Sequence, residues 1–245
     1  MKPRKNLMEE KLCGIVLSGV NFGENDKILS IFTPDKGVVS AKIKGVKKAG
    51  AKMKFAAEPF CFVEYVFSAR NNLRTVIGAS LLDSFYPIRE DVKKFFAAGA
   101  AAEFDKKFLK EGIISADVFV LTTELFKNLA YGNDPPESLL LSFLVSALRY
   151  SGYALNLEGC LKCGEELSGK VYFDHSSGGF LCEECRTGEG REINLSTYLA
   201  LKKVAAGEPI TGEEAVKPLK LLDYYISLKP EENLKALKEL IKICR

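Results

Sequence analysis

The first 80 or so residues contain short apolar runs separated by turn signals. The run KILSIFT at 27–33 precedes PDKG, where proline ahead of glycine indicates a turn. The next run alternates between apolar and polar residues, which is the period of a strand with one buried face. Its apolar positions are Val39, Ala41 and Ile43, and its polar positions are Ser40, Lys42 and Lys44. With β-prone runs at 12–17, 59–70 and 73–85, the pattern predicts a small β-barrel.

Beyond Pro87 the apolar residues follow the spacing of amphipathic helices. Ser196 is a predicted N-cap, and Pro230 is predicted to open the last helix. The predicted helices are 89–110, 115–130, 135–153, 194–207, 212–228 and 230–244. The chain is therefore expected to be an α+β protein, with a barrel at residues 1–81, a hinge near 82–88 and a helical domain at 82–245.

Length and composition indicate an ordinary globular protein. The 245 residues are 47% hydrophobic and 27% charged, which is enough for about two domains with apolar cores. The basic N-terminal residues are not followed by an apolar segment, so we expect no signal peptide. The run FFAAGAAA at 95–102 is too short to cross a bilayer. We expect a cytoplasmic protein without membrane association.

Charge is distributed unevenly along the chain. Residues 1–80 carry 14 basic and 7 acidic residues, whereas residues 81–245 carry 21 and 25. A basic front half suggests contact with a polyanion, although a solvated basic surface without a partner would have the same composition.

Four of the seven cysteines lie in two Cys-x-x-Cys pairs, in the pattern C-x2-C-x18-C-x2-C. Each pair can direct two thiolates at one ion, and four thiolates complete a tetrahedral Zn²⁺ shell. The predicted ligands are Cys160, Cys163, Cys182 and Cys185. An 18-residue spacer allows a hairpin that brings the pairs together, within an insert at about 158–190. We expect one structural zinc ion; unbound or redox-active thiol pairs and an iron–sulfur cluster are the alternatives.

Catalytic motifs are missing from the sequence. It contains no P-loop and no dinucleotide-binding glycine pattern. Its one histidine, His175, lacks the neighbouring glutamate of a zinc deaminase and is interpreted as a turn residue. A shell of four cysteines leaves no open position for a reacting water. We therefore expect a protein that is not an enzyme.

The segment from 42 to 54 has six lysines and no acidic residue, and it reads as a strand end followed by a loop or short helix. Aromatic residues follow at once, although alternate ones are needed for the barrel core. Lysines that contact phosphates and aromatics that stack on bases are the two components of single-strand binding. The candidate nucleic-acid contacts are Lys42, Lys44, Lys47, Lys48, Lys52, Lys54 and Arg74.

These features together resemble the RecO family of bacterial recombination mediators. The resemblance rests on GIVLSGVNFGENDKILSIFTPDKGVVSAKIKGVKKAGAKMKFAAEPF, on PIRED ahead of the helices, on the helical middle, and on GCLKCG with GGFLCEEC. It covers nearly the whole chain. The family's basic segment usually carries arginine and serine where this chain has lysine and alanine between 47 and 54.

The resemblance implies an OB-fold domain followed by a helical domain that carries the zinc element. It also implies binding of single- and double-stranded DNA, annealing of complementary strands, and loading of RecA onto strands coated with single-strand-binding protein, in the RecFOR pathway. The implied partners are RecR, single-strand-binding protein and, indirectly, RecA, with a location at the nucleoid. The alternative is a non-enzymatic zinc-ribbon module that binds RNA or protein partners in transcription or ribosome maturation.

Overall fold

The computed structural model describes residues 8–70, 73–109, 113–186, 188, 190–229 and 233–244. Within these ranges it has eight strands, six α-helices and two 3-10 helices. The strands are β1 (Met8–Phe22), β2 (Asp26–Thr33), β3 (Gly37–Ile43), β4 (Phe62–Arg70), β5 (Leu73–Asp83), β6 (Val171–Asp174), β7 (Gly179–Cys182) and β8 (Arg191–Ile193). The α-helices are α1 (Val92–Phe108), α2 (Ala116–Tyr131), α3 (Pro136–Tyr150), α4 (Leu195–Ala205), α5 (Gly212–Ser227) and α6 (Lys235–Ile243). The 3-10 helices are Lys54–Ala57 and Tyr86–Arg89.

The first five strands form a closed barrel in the order β1-β2-β3-β5-β4. The long strand β1 pairs with both β2 and β4, so Ile15 has Phe32 as one neighbour and Phe62 as the other. Gly14 lies at this crossing, where a Cβ atom would come within 2.5 Å of the Ile31 side chain. Parallel pairing of β3 with β5 closes the barrel. The barrel predicted from the sequence is confirmed and is OB-like.

The barrel core contains the inward-facing side chains that the alternating pattern predicts. Val39, Ala41 and Ile43 are buried. Tyr65 and Phe67 are also fully buried and stack with their ring centroids 5.4 Å apart. These two aromatics therefore belong to the core and are closed to a base.

A buried hydrogen bond joins the first 3-10 helix to the barrel. The hydroxyl of Tyr65 donates to the carbonyl oxygen of Ala56 at 2.7 Å. Burial raises the pKa of this hydroxyl above its usual value, so it stays protonated and remains a donor.

The helices lie close to their predicted positions, with one difference in detail. The predicted cap Ser196 is wrong, because Asn194 precedes the first turn of α4 and Ser196 lies inside the helix. The α5 helix has a capping box in which Thr211 and Glu214 each accept a backbone N–H from the other. Pro230 lies outside the described residues.

Across the described ranges, no helix combines the length and apolar character needed to cross a membrane.

The chain divides into two compact units. The first consists of the residues up to Arg89 together with Ala102–Val120, and it contains the barrel. The second consists of Glu90–Ala101 and the chain from Leu121 onward. The division into domains at 1–81 and 82–245 stays a prediction.

In the second unit, α3 packs against α4 and α5, and α5 packs against α6. A small antiparallel sheet in the order β7-β6-β8 packs onto these helices through aromatic pairs. Phe173 lies 5.4 Å from Tyr225 and Phe180 lies 5.0 Å from Tyr198, measured between ring centroids. Edge-to-face pairs of this kind contribute beyond their buried area, so the helices hold the sheet in place.

Candidate metal centre and nucleic-acid interface

The four paired cysteines come together at one point of the second unit. Their sulfur atoms all lie within 4.8 Å of one another, and the sulfurs of Cys163 and Cys182 are 3.9 Å apart. A tetrahedral shell with metal–sulfur distances of about 2.3 Å places its sulfurs about 3.8 Å apart. The observed spacing matches that shell, so the cluster can hold a metal ion.

Local structure explains how the two cysteine pairs meet. The spacer forms the β6–β7 hairpin, and Cys182 is the last residue of β7. Beside this strand the Leu161 N–H donates to the carbonyl oxygen of Phe180 at 2.8 Å, which brings the first pair against the hairpin. Gly164 closes the first turn by donating to the Cys160 carbonyl oxygen, with φ at +77°. This left-handed conformation favours glycine.

Backbone donors prepare part of the cluster for a cation. Burial opposes ionisation of the Cys160 thiol, but N–H groups of Cys163, Cys182 and Lys162 direct their charge at its sulfur and lower its pKa to about 6. The neighbouring Cys182 side chain raises the pKa of Cys185 to about 12. Four thiolates this close repel one another, so a bound dication is what allows all four to ionise.

His175 lies in the turn between β6 and β7, which confirms its interpretation as a turn residue. Its ring faces Tyr224 at a centroid distance of 6.3 Å. Among the described residues, the cluster of possible metal ligands consists of the four cysteines and does not contain His175.

The basic segment of the barrel unit is a loop anchored at two apolar positions. Val46 is buried and Met53 packs against the barrel core. Between and beside these anchors, the lysines point to solvent. The exposed members are Lys44, Lys47, Lys48, Lys52 and Lys54. In the part of the chain that the structure describes, none of these five has a carboxylate within ion-pair distance. We call residues 44–54 the lysine loop.

Lys42 differs from the five exposed lysines. Its ammonium nitrogen lies 2.9 Å from a carboxylate oxygen of Asp26 and 4.3 Å from the ring centroid of Phe22. Only 20% of its side chain is exposed. Its position on the outer face is as the alternation predicts, but its charge is partly neutralised by Asp26.

Arg74 faces away from the lysine loop. It pairs across the strands with Ala41, which is buried, whereas Lys42 pairs with Thr75. Because neighbouring strand residues point to opposite faces, Arg74 and Lys42 lie on opposite sides of the barrel wall. The Arg74 guanidinium bonds to Glu10 at 3.2 Å. The structure therefore does not bring Arg74 together with the lysines, and a phosphate contact by any of the seven residues stays a prediction.

Asp26 organises the start of the lysine loop, and sequence reasoning missed it. One of its carboxylate oxygens accepts the Gly45 N–H at 2.8 Å, while the other accepts from Lys42. The Gly45 N–H and then the Lys42 ammonium hold the pKa of Asp26 below its usual value. The signal was present in the sequence ENDK at 24–27, where Asp26 is the first residue of a strand that precedes a basic segment.

Replacing Asp26 with alanine should loosen the lysine loop. The change removes the acceptor of the Gly45 N–H, so amide hydrogen exchange in peptides covering 44–54 should become faster. Asp26→Asn retains an acceptor and should keep most of the protection, and Asp35→Ala, in the exposed β2–β3 turn, should leave it unchanged. The pKa of Asp26 is lower in the folded protein than in the unfolded chain. Its carboxylate therefore contributes its full stabilisation above the unfolded pKa, and this contribution is lost as the pH falls through the folded pKa. Equal exchange in all three variants would contradict the assigned role of Asp26.

Two family models and several known proteins match most of the length of the chain. A family model described as recombination protein O N terminal matches residues 8–85, and one described as recombination protein O C terminal matches residues 89–238. A protein named DNA repair protein RecO from Desulforamulus reducens is 28% identical over 89% of this chain and 90% of its own length.

Two further proteins of the same name are similar. The one from Anaeromyxobacter sp. (strain K) is 30% identical over 85% of this chain and 88% of its own. The one from Rubrobacter xylanophilus is 33% identical over 71% of this chain and 70% of its own. With its OB-like barrel, its four-cysteine cluster and these matches, the chain belongs to the RecO family of DNA repair and recombination proteins.

Proposed function

We propose that this protein binds single- and double-stranded DNA through the lysine loop, anneals complementary strands and helps to load RecA onto coated single strands. The observation that carries the proposal is the set of five exposed lysines between 44 and 54, none of which has a carboxylate partner among the described residues. Charges that are not neutralised within the protein are available to phosphates. The family membership supports the same reading.

Annealing then follows from charge neutralisation. Two complementary strands repel each other through their phosphates, and lysines that replace condensed counterions reduce this repulsion. No step requires nucleotide hydrolysis, which agrees with the missing P-loop in the sequence. We therefore propose a mediator that is not an enzyme.

The metal in the cysteine cluster is proposed to be zinc. Four sulfur ligands with this spacing suit tetrahedral Zn²⁺ and leave no coordination position open. When bound, zinc supplies folding free energy to an element too small to fold alone, and the ligands would be Cys160, Cys163, Cys182 and Cys185. The ion is proposed to be structural.

The proposed partners are RecR and single-strand-binding protein, with RecA reached indirectly. These partners are proposed from membership of the RecO family, and the proposal does not rest on a particular surface of this chain. A cytoplasmic, nucleoid-associated location belongs to the same proposal.

The test is annealing of two complementary single strands already coated with single-strand-binding protein, in the absence of ATP. We expect the protein to accelerate duplex formation, because it must both contact DNA and tolerate the coat. Non-complementary strands of equal length serve as the control. If coated and naked strands both stay unpaired, the mediator proposal fails and an assembly module with an RNA or protein partner becomes the better reading.

A further inference from the structure

Three apolar side chains on the outer face of the barrel are open to solvent. Val20 is 62% exposed, Phe22 48% and Ile28 36%. Val20 and Ile28 are cross-strand partners, and Ile28 is paired on its other side with Lys42. Phe22 follows Val20 by two residues and shares its face, because side chains alternate along a strand. We call these three residues the β1–β2 apolar patch.

Phe22 is held beside the lysine loop by a short chain of contacts. The ammonium of Lys42 covers one face of its ring, 4.3 Å from the centroid. Asp26 fixes that ammonium and also accepts the N–H of Gly45, the second residue of the loop. An exposed aromatic ring is thus fixed next to a group of uncompensated positive charges.

Resting on the proposed function, we propose that the β1–β2 apolar patch contacts the unpaired bases of a single nucleic-acid strand, with Phe22 stacking on one base while the lysine loop binds the phosphates. Every base has an apolar face, so such stacking tolerates any sequence. In a duplex these faces are covered by neighbouring base pairs. The patch therefore favours single strands, whereas the lysines serve both forms.

Charge complementarity identifies this occupant. A second copy of the chain docked through the same patch would bring the five exposed lysines of one loop towards the same lysines of the other. A nucleic-acid strand offers alternating apolar bases and phosphates, which match the apolar patch and the lysine loop beside it. The exposed fractions of Val20, Phe22 and Ile28 leave these three side chains accessible to such a strand.

The chain contains no tryptophan, which allows a direct test. In the variant Phe22→Trp the indole becomes the only tryptophan, so its fluorescence reports on that position alone. Titration with an oligothymidylate should quench it, because the base stacks on the indole. The matched control is Tyr86→Trp, an exposed aromatic beyond the far end of β5, which should not respond.

A binding series provides the second readout. Phe22→Ala should weaken oligothymidylate binding by about 5- to 100-fold, leave the salt dependence unchanged and alter duplex affinity little. Phe22→Trp should bind as the unchanged chain does, and Tyr86→Ala should have no effect. A thermal melt checks that each variant is folded.

The outcomes separate this inference from the proposed function. If the unchanged chain fails to bind the single strand, the proposed function fails. If the unchanged chain binds, but Phe22→Ala binds equally well and Phe22→Trp is not quenched, the patch does not contact bases. A loss that is equal on single strand and duplex, with a smaller salt slope, would also overturn the inference, because Phe22 would then act only by positioning Lys42.

Discussion

Replacing Cys182 with serine should abolish metal binding by the cysteine cluster and partly unfold the element between Cys160 and Cys185. A thiolate at the end of β7 is lost, and the three remaining sulfurs no longer complete the shell. Structural zinc contributes about 10–16 kcal/mol in isolated zinc-finger peptides. Here Phe173 and Phe180 also hold the hairpin onto α5 and α4, so the element should keep part of its structure without metal.

Metal analysis by mass spectrometry and thermal unfolding measure this effect together. The unchanged chain should carry one zinc ion, and Cys182→Ser should carry none and unfold at a lower temperature. The control Cys13→Ser makes the same chemical change on β1, in the other compact unit, and should keep both the metal and the stability. Stoichiometric iron together with visible absorption would show that the cysteines hold an iron–sulfur cluster and not zinc. Full metal content in Cys182→Ser would refute the assigned ligand set.

Replacing Lys44, Lys47, Lys48 and Lys52 together with alanine should nearly abolish single-strand binding at low salt. Each lost phosphate contact on a single strand lowers the slope of log affinity against log salt by about 0.7, so four contacts lower it by about 2.8. At 0.1 M salt the same arithmetic weakens binding by a factor of roughly 100 to 1000. All four side chains are exposed, so the fold should be retained.

The matched control replaces the same four lysines with arginine. This variant keeps every charge, and its salt slope should equal that of the unchanged chain. Fluorescence anisotropy with a labelled oligonucleotide at four or five salt concentrations gives both slopes. An alanine variant with an unchanged slope would mean that the phosphates lie elsewhere on the molecule.

Local patterns predicted the elements that local chemistry determines. The alternation of Val39, Ala41 and Ile43 predicted a half-buried strand, and the structure has those three residues in the core. The spacing of the four cysteines predicted both the hairpin and the cluster. In each case residues near one another in sequence carry the whole signal.

Other features depend on partners that are distant in sequence. Arg74 was grouped with the lysines by charge, yet its face is fixed by the register of β5 against β3. The partial burial of Lys42 depends on Asp26, which lies on the neighbouring strand. Strand β8 has only three residues and forms by pairing with β6, so it has almost no periodicity of its own to recognise. Register and cross-strand pairing are properties of the folded sheet, and a single sequence does not specify them directly.

Among the described residues, the parallel pairing that closes the barrel joins three residue pairs, Ala41–Ile43 with Arg74–Val76, whereas each antiparallel pair of strands in the barrel is joined by seven or more. Parallel pairing is also slightly weaker per residue. Local unfolding of the barrel would therefore start at this closure. Strand β3 continues directly into the lysine loop, so the segment that opens at the lowest free energy is also the segment proposed to meet DNA. A DNA strand bound along this edge would stabilise the closed barrel relative to its locally opened forms.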